Sequence, residues 1–343
     1  MKMALQPIRL IFLLGLGSCA TRAAAPVTPA EVPLVPAAAW EVVPTTGPAQ
    51  ERHECSFVQS GGKFYLLGGR GDRAVNVLDP KTGQWTRGAA APQELHHFQA
   101  VAFAGKLVVA GALTGGYPAE RPVPNLFIYD PAVDQWTRGP EIPQGRRRGA
   151  AGLVAYKDSL WLLGGLTEGH NGGFVPWFDA FDPKTERWQI MPDAPRPRDH
   201  FGAVVVDDQL VAAGGRTSSA RTNQVLELTI AEVDVFDFAS GQWRTLPVPQ
   251  AALPTLRAGT LAVPLDHGVV VLGGESAGQE LAHNEVQALD LRAGTWRSLP
   301  ALNKGRHGTG AAWLGNTLYV AAGSAHKGGG PETIDVERLL FTR

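Results

Sequence analysis

The sequence LDPKTGQW at residues 78–85 is the first of five similar stretches, each with an aspartate six positions before a tryptophan. The others are YDPAVDQW at 129–136, FDPKTERW at 181–188, FDFASGQW at 236–243 and LDLRAGTW at 289–296. An aspartate followed by proline or by a polar, glycine-containing stretch favours a turn, because the carboxylate caps backbone amides and proline presets φ. The tryptophan then begins a strand and offers a large apolar face to a neighbouring sheet. We therefore interpret each stretch as a structural β-hairpin.

A second series of short apolar runs lies between the hairpins, and each run ends in a pair of small residues. The runs are FYLLGG at 64–69, LVVAGA at 107–112, LWLLGG at 160–165, LVAAGG at 210–215, VVVLGG at 269–274 and LYVAAG at 318–323. Such runs indicate buried strands whose ends pack too closely for side chains. Because an inner strand such as GAVVVDD at 202–208 precedes each run, every unit contains four strand signals.

Four-stranded units of about 50 residues, with a small-residue pair and a later tryptophan, resemble the kelch repeats of β-propellers. The resemblance covers residues 39–343 and implies an all-β fold, a six-bladed kelch β-propeller. Two units depart from the double glycine, with Gly111–Ala112 and Ala322–Gly323 in its place. Both replacements keep the small size that the strand end requires.

The ends of the repeat predict how the ring closes. The sequence holds six strands of the small-pair type but five hairpins, and the sixth unit stops at Arg343 before its tryptophan. The stretch AWEVVP at 39–44 contains Trp40 and precedes the first small-pair strand. We therefore expect this N-terminal strand to complete the last blade and leave no free sheet edge there.

The first residues resemble the signal peptide of a bacterial lipoprotein. Lys2 and Arg9 precede an apolar run at 10–17 that is too short to span a bilayer, and the run ends in LGSC at 16–19. In the lipobox that this sequence resembles, the cysteine becomes the acylated first residue, which implies a signal peptide at 1–18 and lipid attachment at Cys19. Since Ala20 follows in place of aspartate, the resemblance implies an exported lipoprotein of the outer membrane. An ordinary secretory signal with a chance cysteine is the alternative.

Composition bounds the rest of the chain. Residues 19–38 are rich in alanine and proline and predict an extended tether between the lipid and a propeller domain at 39–343. If Cys19 carries lipid, Cys55 has no partner for a disulfide, and stability must come from packing. The near balance of 31 basic and 32 acidic residues argues against a nucleic-acid partner.

The repeat also aligns a set of polar residues just before the innermost strands. Sixteen positions before the first small residue, five units carry arginine and the second unit carries Leu95; the arginines are Arg52, Arg148, Arg198, Arg257 and Arg306. The next two positions supply the candidate histidines His53, His96, His97, His200 and His307, with Glu54 and Asp199 among them. We expect these side chains at the mouth of the central channel. The other histidines, His170, His267, His283 and His326, fall in predicted loops and are expected to be solvated.

Two interpretations of the arginines stay open. Kelch units often carry an arginine here that braces backbone carbonyls, which is a scaffold role. Alternatively, guanidinium groups about 8 Å apart repel by roughly 2 kcal/mol at an effective dielectric constant of about 20. A bound anion would relieve that repulsion, and arginine suits carboxylate or phosphate. The resemblance supports anion binding, because arginines at this position bind acidic peptides in the kelch adaptors of animal ubiquitin ligases.

No metal or other cofactor is expected. A metal at these histidines would lie beside five cations, and no Cys/His pair has zinc-site spacing. Copper chemistry like that of galactose oxidase is also not expected, because the chain lacks a Tyr-His dipeptide and a tyrosine beside Cys55. The enzyme alternative is a carbohydrate-active protein resembling the periplasmic sialic-acid mutarotase, although no dedicated acid–base pair is present. We predict a membrane-tethered binding module for a protein or an anionic small molecule or carbohydrate, rather than an enzyme.

Overall fold

Strands dominate residues 34–71 and 73–343, the part of the chain that the computed structural model describes. Within these residues the long strands form six antiparallel sheets, and the innermost strand of each sheet contacts the innermost strands of both neighbours. The six sheets therefore close into a ring around a central channel. This arrangement confirms the all-β, six-bladed propeller predicted from the repeat.

Each blade runs from the innermost to the outermost strand in chain order. Blade 1 consists of Cys55–Ser60, Lys63–Gly68, Ala74–Asp79 and Gln84–Ala90. Blade 2 consists of Ala100–Phe103, Lys106–Val109, Asn125–Asp130 and Gln135–Glu141. Blade 3 consists of Gly152–Tyr156, Ser159–Leu163, Phe178–Asp182 and Arg187–Ile190.

The remaining blades follow the same plan. Blade 4 consists of Gly202–Val206, Gln209–Ala213, Asp234–Asp237 and Gln242–Thr245. Blade 5 consists of Leu261–Leu265, Gly268–Leu272, Val286–Asp290 and Thr295–Leu299. Blade 6 consists of Ala311–Leu314, Thr317–Ala321 and Val336–Thr342, followed by Glu41–Val43 and Val35–Pro36 on its outer edge.

Irregular elements occur in the loops. Leu113–Thr114 pairs with Arg121–Pro122 in a short ladder, and two 3-10 turns lie at Gln144–Arg146 and Ala220–Thr222. Among the described residues, no helix has the length and apolar character needed to cross a lipid bilayer.

The five aspartate-to-tryptophan stretches form the predicted hairpins between the third and outermost strands. In the first, Asp79 Oδ1 accepts the backbone amide of Lys81 at 2.9 Å, and Leu78 pairs with Trp85 across the strands. The same side-chain cap recurs in the other four hairpins, at Asp130, Asp182, Asp237 and Asp290. The carboxylate satisfies amides that the tight turn leaves without a ladder partner. The motif is therefore structural, as the sequence predicts.

The tryptophans join each blade to the one before it. Trp243 of blade 4 packs in one apolar cluster with residues of blade 3, and its indole NH donates to the carbonyl of Pro192 at 2.8 Å. Trp296 repeats this contact with the carbonyl of Ala251 at 3.0 Å. Trp85 and Trp188 pack their rings between blades in the same way, but their indole NH groups make no hydrogen bond within the described residues.

The small pairs are required by both backbone conformation and space. The first residue of each pair has a φ of +63° to +71°, including Ala322, and this left-handed region favours glycine. A Cβ on Gly273 would lie 2.3 Å from the carbonyl oxygen of Arg306, and one on Gly164 would lie 2.5 Å from that of Arg198. The chain of the next blade thus passes directly over the glycine.

The N-terminal segment closes the last blade, as predicted. Glu41–Val43 pairs antiparallel with Val336–Arg338, and the indole NH of Trp40 donates to the carbonyl of Pro300 in blade 5 at 2.8 Å. Strand pairing begins before the predicted boundary at residue 39, because Val35–Pro36 pairs with Phe341 and Thr342. These residues cover the outer half of the same edge. The predicted signal peptide, Cys19 and the first part of the tether lie outside the described residues.

Candidate functional site at the channel mouth

The five aligned arginines lie inside the blades. Each guanidinium donates to the carbonyl of the first small residue of its own blade, sixteen positions later; the distance is 2.8 Å for Arg198 and Gly214 and 2.7 Å for Arg257 and Gly273. Arg52, Arg148 and Arg306 repeat the contact. All five side chains are buried, and burial lowers the pKa of Arg148 and Arg257 to about 10, which leaves them cationic at neutral pH.

Each arginine also has a polar partner on the third strand of its own blade. Arg148 lies 2.5 Å from Asp179, Arg198 lies 2.5 Å from Asp234, and Arg306 pairs with Glu337. The partners of Arg52 and Arg257 are the neutral amides Asn76 and Gln287. These contacts pair most of the guanidinium nitrogens where water cannot reach them, although the Nε atoms of Arg198 and Arg306 make no hydrogen bond within the described residues.

Blade 2 lacks both members of this pair. Leu95 stands at the arginine position, and Phe127 stands at the position of the third-strand partner, three residues before the hairpin aspartate. Both are buried in one apolar cluster. A buried polar pair has thus been replaced as a unit by apolar side chains, which is a stable alternative.

These contacts correct the expected position of the arginines. They were expected to face the channel mouth and bind an anion together, but their guanidinium groups point between the strands of each blade and are bonded to partners within it. The repulsion that motivated an anion site is relieved by the carbonyls and carboxylates of the blades. Arginines that donate to backbone carbonyls within their own blade are what the scaffold interpretation predicts.

The residues that surround the channel come two positions after the arginines. Glu54, His97, Ala150 and His200 have φ of +52° or +53°, and glycines occupy the other two blades at this position. Their backbones form a ring of hydrogen bonds between blades: His97 N to Glu54 O, Ala150 N to His97 O, His200 N to Ala150 O, Gly259 N to His200 O, Gly308 N to Gly259 O and Cys55 N to Gly308 O. This axial ring fixes the side chains of Glu54, His97 and His200 at the mouth.

A cavity of about 120 Å³ lies below the axial ring, lined by the starts of the innermost strands. Its wall includes Cys55, Phe98, Phe201 and Thr309. The side chain of Gln99 crosses it and makes two hydrogen bonds with the backbone of Ala203 in blade 4, at 2.7 and 3.0 Å. The side chain of Gln99 therefore divides the channel. The mouth is the end that carries the polar side chains of the axial ring.

Three histidines meet at this mouth. His97, His170 and His200 are buried, their ring centroids lie 4.9 to 5.1 Å apart, and one nitrogen from each lies within 4.8 Å of the others. His170 comes from the loop of blade 3 and was expected to be solvated, but that loop folds over the channel. His283 is also buried, with contacts to Ser276 and Glu285. Burial and the neighbouring histidines hold the pKa of His97 well below its ordinary value, and burial and Arg216 lower that of His200.

Carboxylates orient these rings. The Nδ1 of His200 donates to Asp199 at 2.5 Å, and the Nδ1 of His170 donates to Glu120 at 3.0 Å. Glu54 lies 3.3 Å from the Nε2 of His97. The Nε2 of His200 is buried and makes no hydrogen bond within the described residues. Such a nitrogen costs free energy unless a ligand uses it.

The other predicted histidines have loop partners. His53 contacts Glu332 at 2.6 Å, the Nε2 of His96 contacts the carbonyl of Gly115 at 3.0 Å, and the Nε2 of His307 contacts the carbonyl of His326 at 2.9 Å. The structure therefore brings His200 together with His97, and the Nδ1 of His96 lies 2.6 Å from that of His97. His53 and His307 contact the loops around them.

Ion pairs and hydrogen bonds link the loops of successive blades into a polar belt. The contacts are Arg70 to Glu120 at 2.8 Å, Glu120 to His170 at 3.0 Å, Arg216 to Glu275 at 2.6 Å, Glu275 to the amide of Gly328 at 2.7 Å, and Glu332 to His53 at 2.6 Å. Burial raises the pKa of Glu275, but His307 and Arg216 outweigh it and bring the value to about 2. Near the three histidines, the two arginines of the belt face four carboxylates, Glu54, Glu120, Asp199 and Glu275.

Sequence reasoning missed several of these residues. Arg70, Arg216 and Glu275 directly follow the small pairs, so the repeat alignment could have placed them in one column. The third-strand partners of the arginines also align, three residues before the hairpin aspartate. Glu120 and His170 lie in loops of unequal length, and no periodic signal marks them.

The ring of four-stranded blades, with a small pair, a capped hairpin and an inter-blade tryptophan in its repeat, defines a propeller of the kelch type. The chain belongs to the kelch-repeat family, because the KLHDC2/KLHL20/DRC7 Kelch-repeats domain matches residues 139–323, more than half of its length.

Curated relatives carry kelch names. The chain is 27% identical over 303 residues to Kelch-like protein terF of Aspergillus terreus (strain NIH 2624 / FGSC A1156) and 26% identical over 276 residues to Kelch-like protein 25 of Xenopus tropicalis. These alignments cover 83% and 77% of this chain but 64% and 43% of the relatives. The solved structure of YjhT superposes with a TM-score of 0.73 at 15% identity, covering 87% of this chain and 99% of YjhT. That similarity shows the shared fold.

Proposed function

We propose that this kelch propeller is a binding module, and that the channel mouth binds a small, positively charged ligand. Kelch propellers are in general protein-binding modules. The observation that carries the narrower proposal is the concentration of buried titratable side chains at one end of a cavity, since such clusters with shifted pKa values are commonest at functional sites. Two buried or half-buried arginines face four carboxylates there, so the charge surplus is negative when the histidines are neutral.

The negative charge at the mouth favours a cationic ligand, whereas the sequence predicted an anionic one. The five aligned arginines are bonded inside the blades and leave no cationic ring for a carboxylate or a sialic acid. We therefore do not propose the alternative of an anionic-sugar enzyme resembling the mutarotase. His97 and His200 also line the cavity of about 120 Å³ below the ring, so a group that enters it from the mouth must be small, such as an ion or a single protruding side chain.

A matched pair of ligands tests the charge preference. The full chain is titrated with 1,4-diaminobutane or with succinate, which have the same length and opposite charge, and its melting temperature is recorded. We expect the diamine to stabilise the fold by about 2.7 kcal/mol at one hundred times its Kd, and succinate to have no effect.

The control variants are Glu54→Gln, which removes a carboxylate at the mouth, and Asp158→Asn, which removes an exposed carboxylate paired with Lys184. Glu54→Gln should weaken the diamine effect and Asp158→Asn should preserve it. Stabilisation by succinate with no response to the diamine would refute the proposal.

The membrane anchor is a separate proposal that rests on the sequence alone. If Cys19 is acylated, Cys19→Ala should abolish labelling with palmitate and release the protein from membranes or leave the precursor unprocessed. Two or more acyl chains hold a protein far more firmly than a single one, so the loss should be complete. Cys55→Ala is the matched control, because Cys55 is buried in the propeller. Unchanged labelling and fractionation of Cys19→Ala would exclude the anchor.

A further inference from the structure

We propose that His97, His170 and His200 bind one divalent transition-metal ion of the zinc class at the channel mouth. The proposal rests on the proposed function of the mouth as a site for a positively charged ligand, and it names that ligand. Three imidazoles are a frequent donor set for zinc in sites that keep a fourth position for water or a substrate.

The first argument is the position of the nitrogens. One ring nitrogen of each histidine lies within 4.8 Å of the others. A tetrahedral zinc ion with Zn–N distances of about 2.0–2.1 Å holds its ligands roughly 3.4 Å apart, so binding draws the rings inward by about an ångström. His170 lies in a loop and His97 and His200 lie on the axial ring, so the loop can bring His170 closer while the side chains of the other two rotate toward the ion.

The second argument is the carboxylate behind each of two rings. Metal-binding histidines commonly donate their second ring N–H to a carboxylate, which fixes the tautomer and leaves the other nitrogen as the donor to the ion. His200 with Asp199 and His170 with Glu120 have this arrangement through Nδ1. In both, Nε2 is left as the ligand atom. His97 differs, because its Nδ1 lies 2.6 Å from that of His96 and its Nε2 lies 3.3 Å from Glu54, so it must exchange one of these contacts for the ion.

The third argument is the unpartnered Nε2 of His200. It is buried and makes no hydrogen bond within the described residues, whereas both nitrogens of the buried His283 are occupied, by Glu285 and Ser276. His283 shows what a purely structural histidine looks like in this protein. Both rings have a carboxylate at Nδ1, and His200 differs from His283 in that its Nε2 makes no hydrogen bond within the described residues.

The fourth argument is charge. The sequence argued against a metal because five arginines were expected beside the histidines, but these arginines lie within the blades. The groups that surround the three rings are Glu54, Glu120, Asp199 and Glu275 against Arg70 and Arg216. A divalent cation would balance this surplus.

The test uses the full chain after treatment with a chelator, titrated calorimetrically with zinc chloride alone. We expect one ion per chain and a higher melting temperature. His170→Gln and His200→Gln should each weaken zinc binding at least tenfold, and Asp199→Asn or Glu120→Gln should weaken it about 10- to 100-fold. His267→Ala is the control, since His267 lies in the turn at the opposite end of blade 5 and pairs with Asp207. Its zinc affinity should match that of the unaltered chain.

A second measurement covers variants that fold poorly. Cobalt(II) bound to the unaltered chain should give the visible spectrum of tetrahedral imidazole coordination, and His170→Gln, a loop substitution, should lose it while keeping its melting transition. Absence of stoichiometric zinc binding would overturn the metal site, as would equal affinity in the unaltered chain and His170→Gln. If the diamine binds and zinc does not, only this inference fails; if neither binds, the proposed function fails with it.

Discussion

Arg306→Ala is expected to lower the free energy of unfolding by about 3–5 kcal/mol. Arg306 and Glu337 are both buried, and the guanidinium also donates to the carbonyls of Ala322 at 3.0 Å and Asp335 at 2.9 Å. Removing the cation leaves the Glu337 carboxylate buried with two backbone amides as its remaining partners. Urea denaturation followed by tryptophan fluorescence measures the loss.

Arg257→Ala is the matched comparison. Arg257 occupies the same column and contacts the same kind of carbonyl, but its third-strand partner is the neutral amide of Gln287. The substitution should cost about 1–3 kcal/mol, because it strands a dipole rather than a charge. Equal losses for the two variants would contradict the account of the pair. If an anion raises the melting temperature of the unaltered chain but not that of either variant, the result would support an anion site at the arginines.

Deletion of residues 39–44 is expected to cost more than the roughly 3–5 kcal/mol typical of removing one buried tryptophan side chain. Trp40 packs among Leu318, Leu339 and other buried residues, and Glu41–Val43 covers the edge of Val336–Arg338. The truncated chain would expose an apolar face together with an unpaired strand edge. We expect it to aggregate or to melt far below the full chain in calorimetry.

Two point variants separate the contributions to closure. Trp40→Ala should reproduce much of the loss, whereas Val42→Ala should have little effect because the side chain of Val42 is exposed on the same strand. A deletion variant that melts like the full chain would show that another element closes the ring.

The repeat predicted the ring because each recurring feature has a local physical cause. The hairpin aspartates, the small pairs and the tryptophans act through a turn, a φ angle or one inter-blade contact, so their positions in the sequence determine their roles. The strand at 41–43 followed from the same count. Residues 34–38 carry no such signal, and their pairing depends on an edge formed by residues 336–342.

The candidate site was harder to predict, since alignment gives the position of a residue along a blade and not the direction of its side chain. Arg198 and His200 are two positions apart, yet the first points into the blade and the second toward the channel. A positive φ at His200 makes that difference. His170 reaches the mouth from the loop between the second and third strands of blade 3, and no periodicity marks it.

The N-terminal strand also determines the order in which the ring can be completed. Glu41 and Arg338 form an ion pair across 297 residues of sequence. A ribosome makes the closing strand first, and its partner emerges only after every other blade has been made. The first five blades each consist of consecutive strands and can form as soon as their roughly 50 residues are available. The closing strand waits without a partner, so the interval before residues 336–342 appear is the period in which the incomplete chain is most exposed to aggregation.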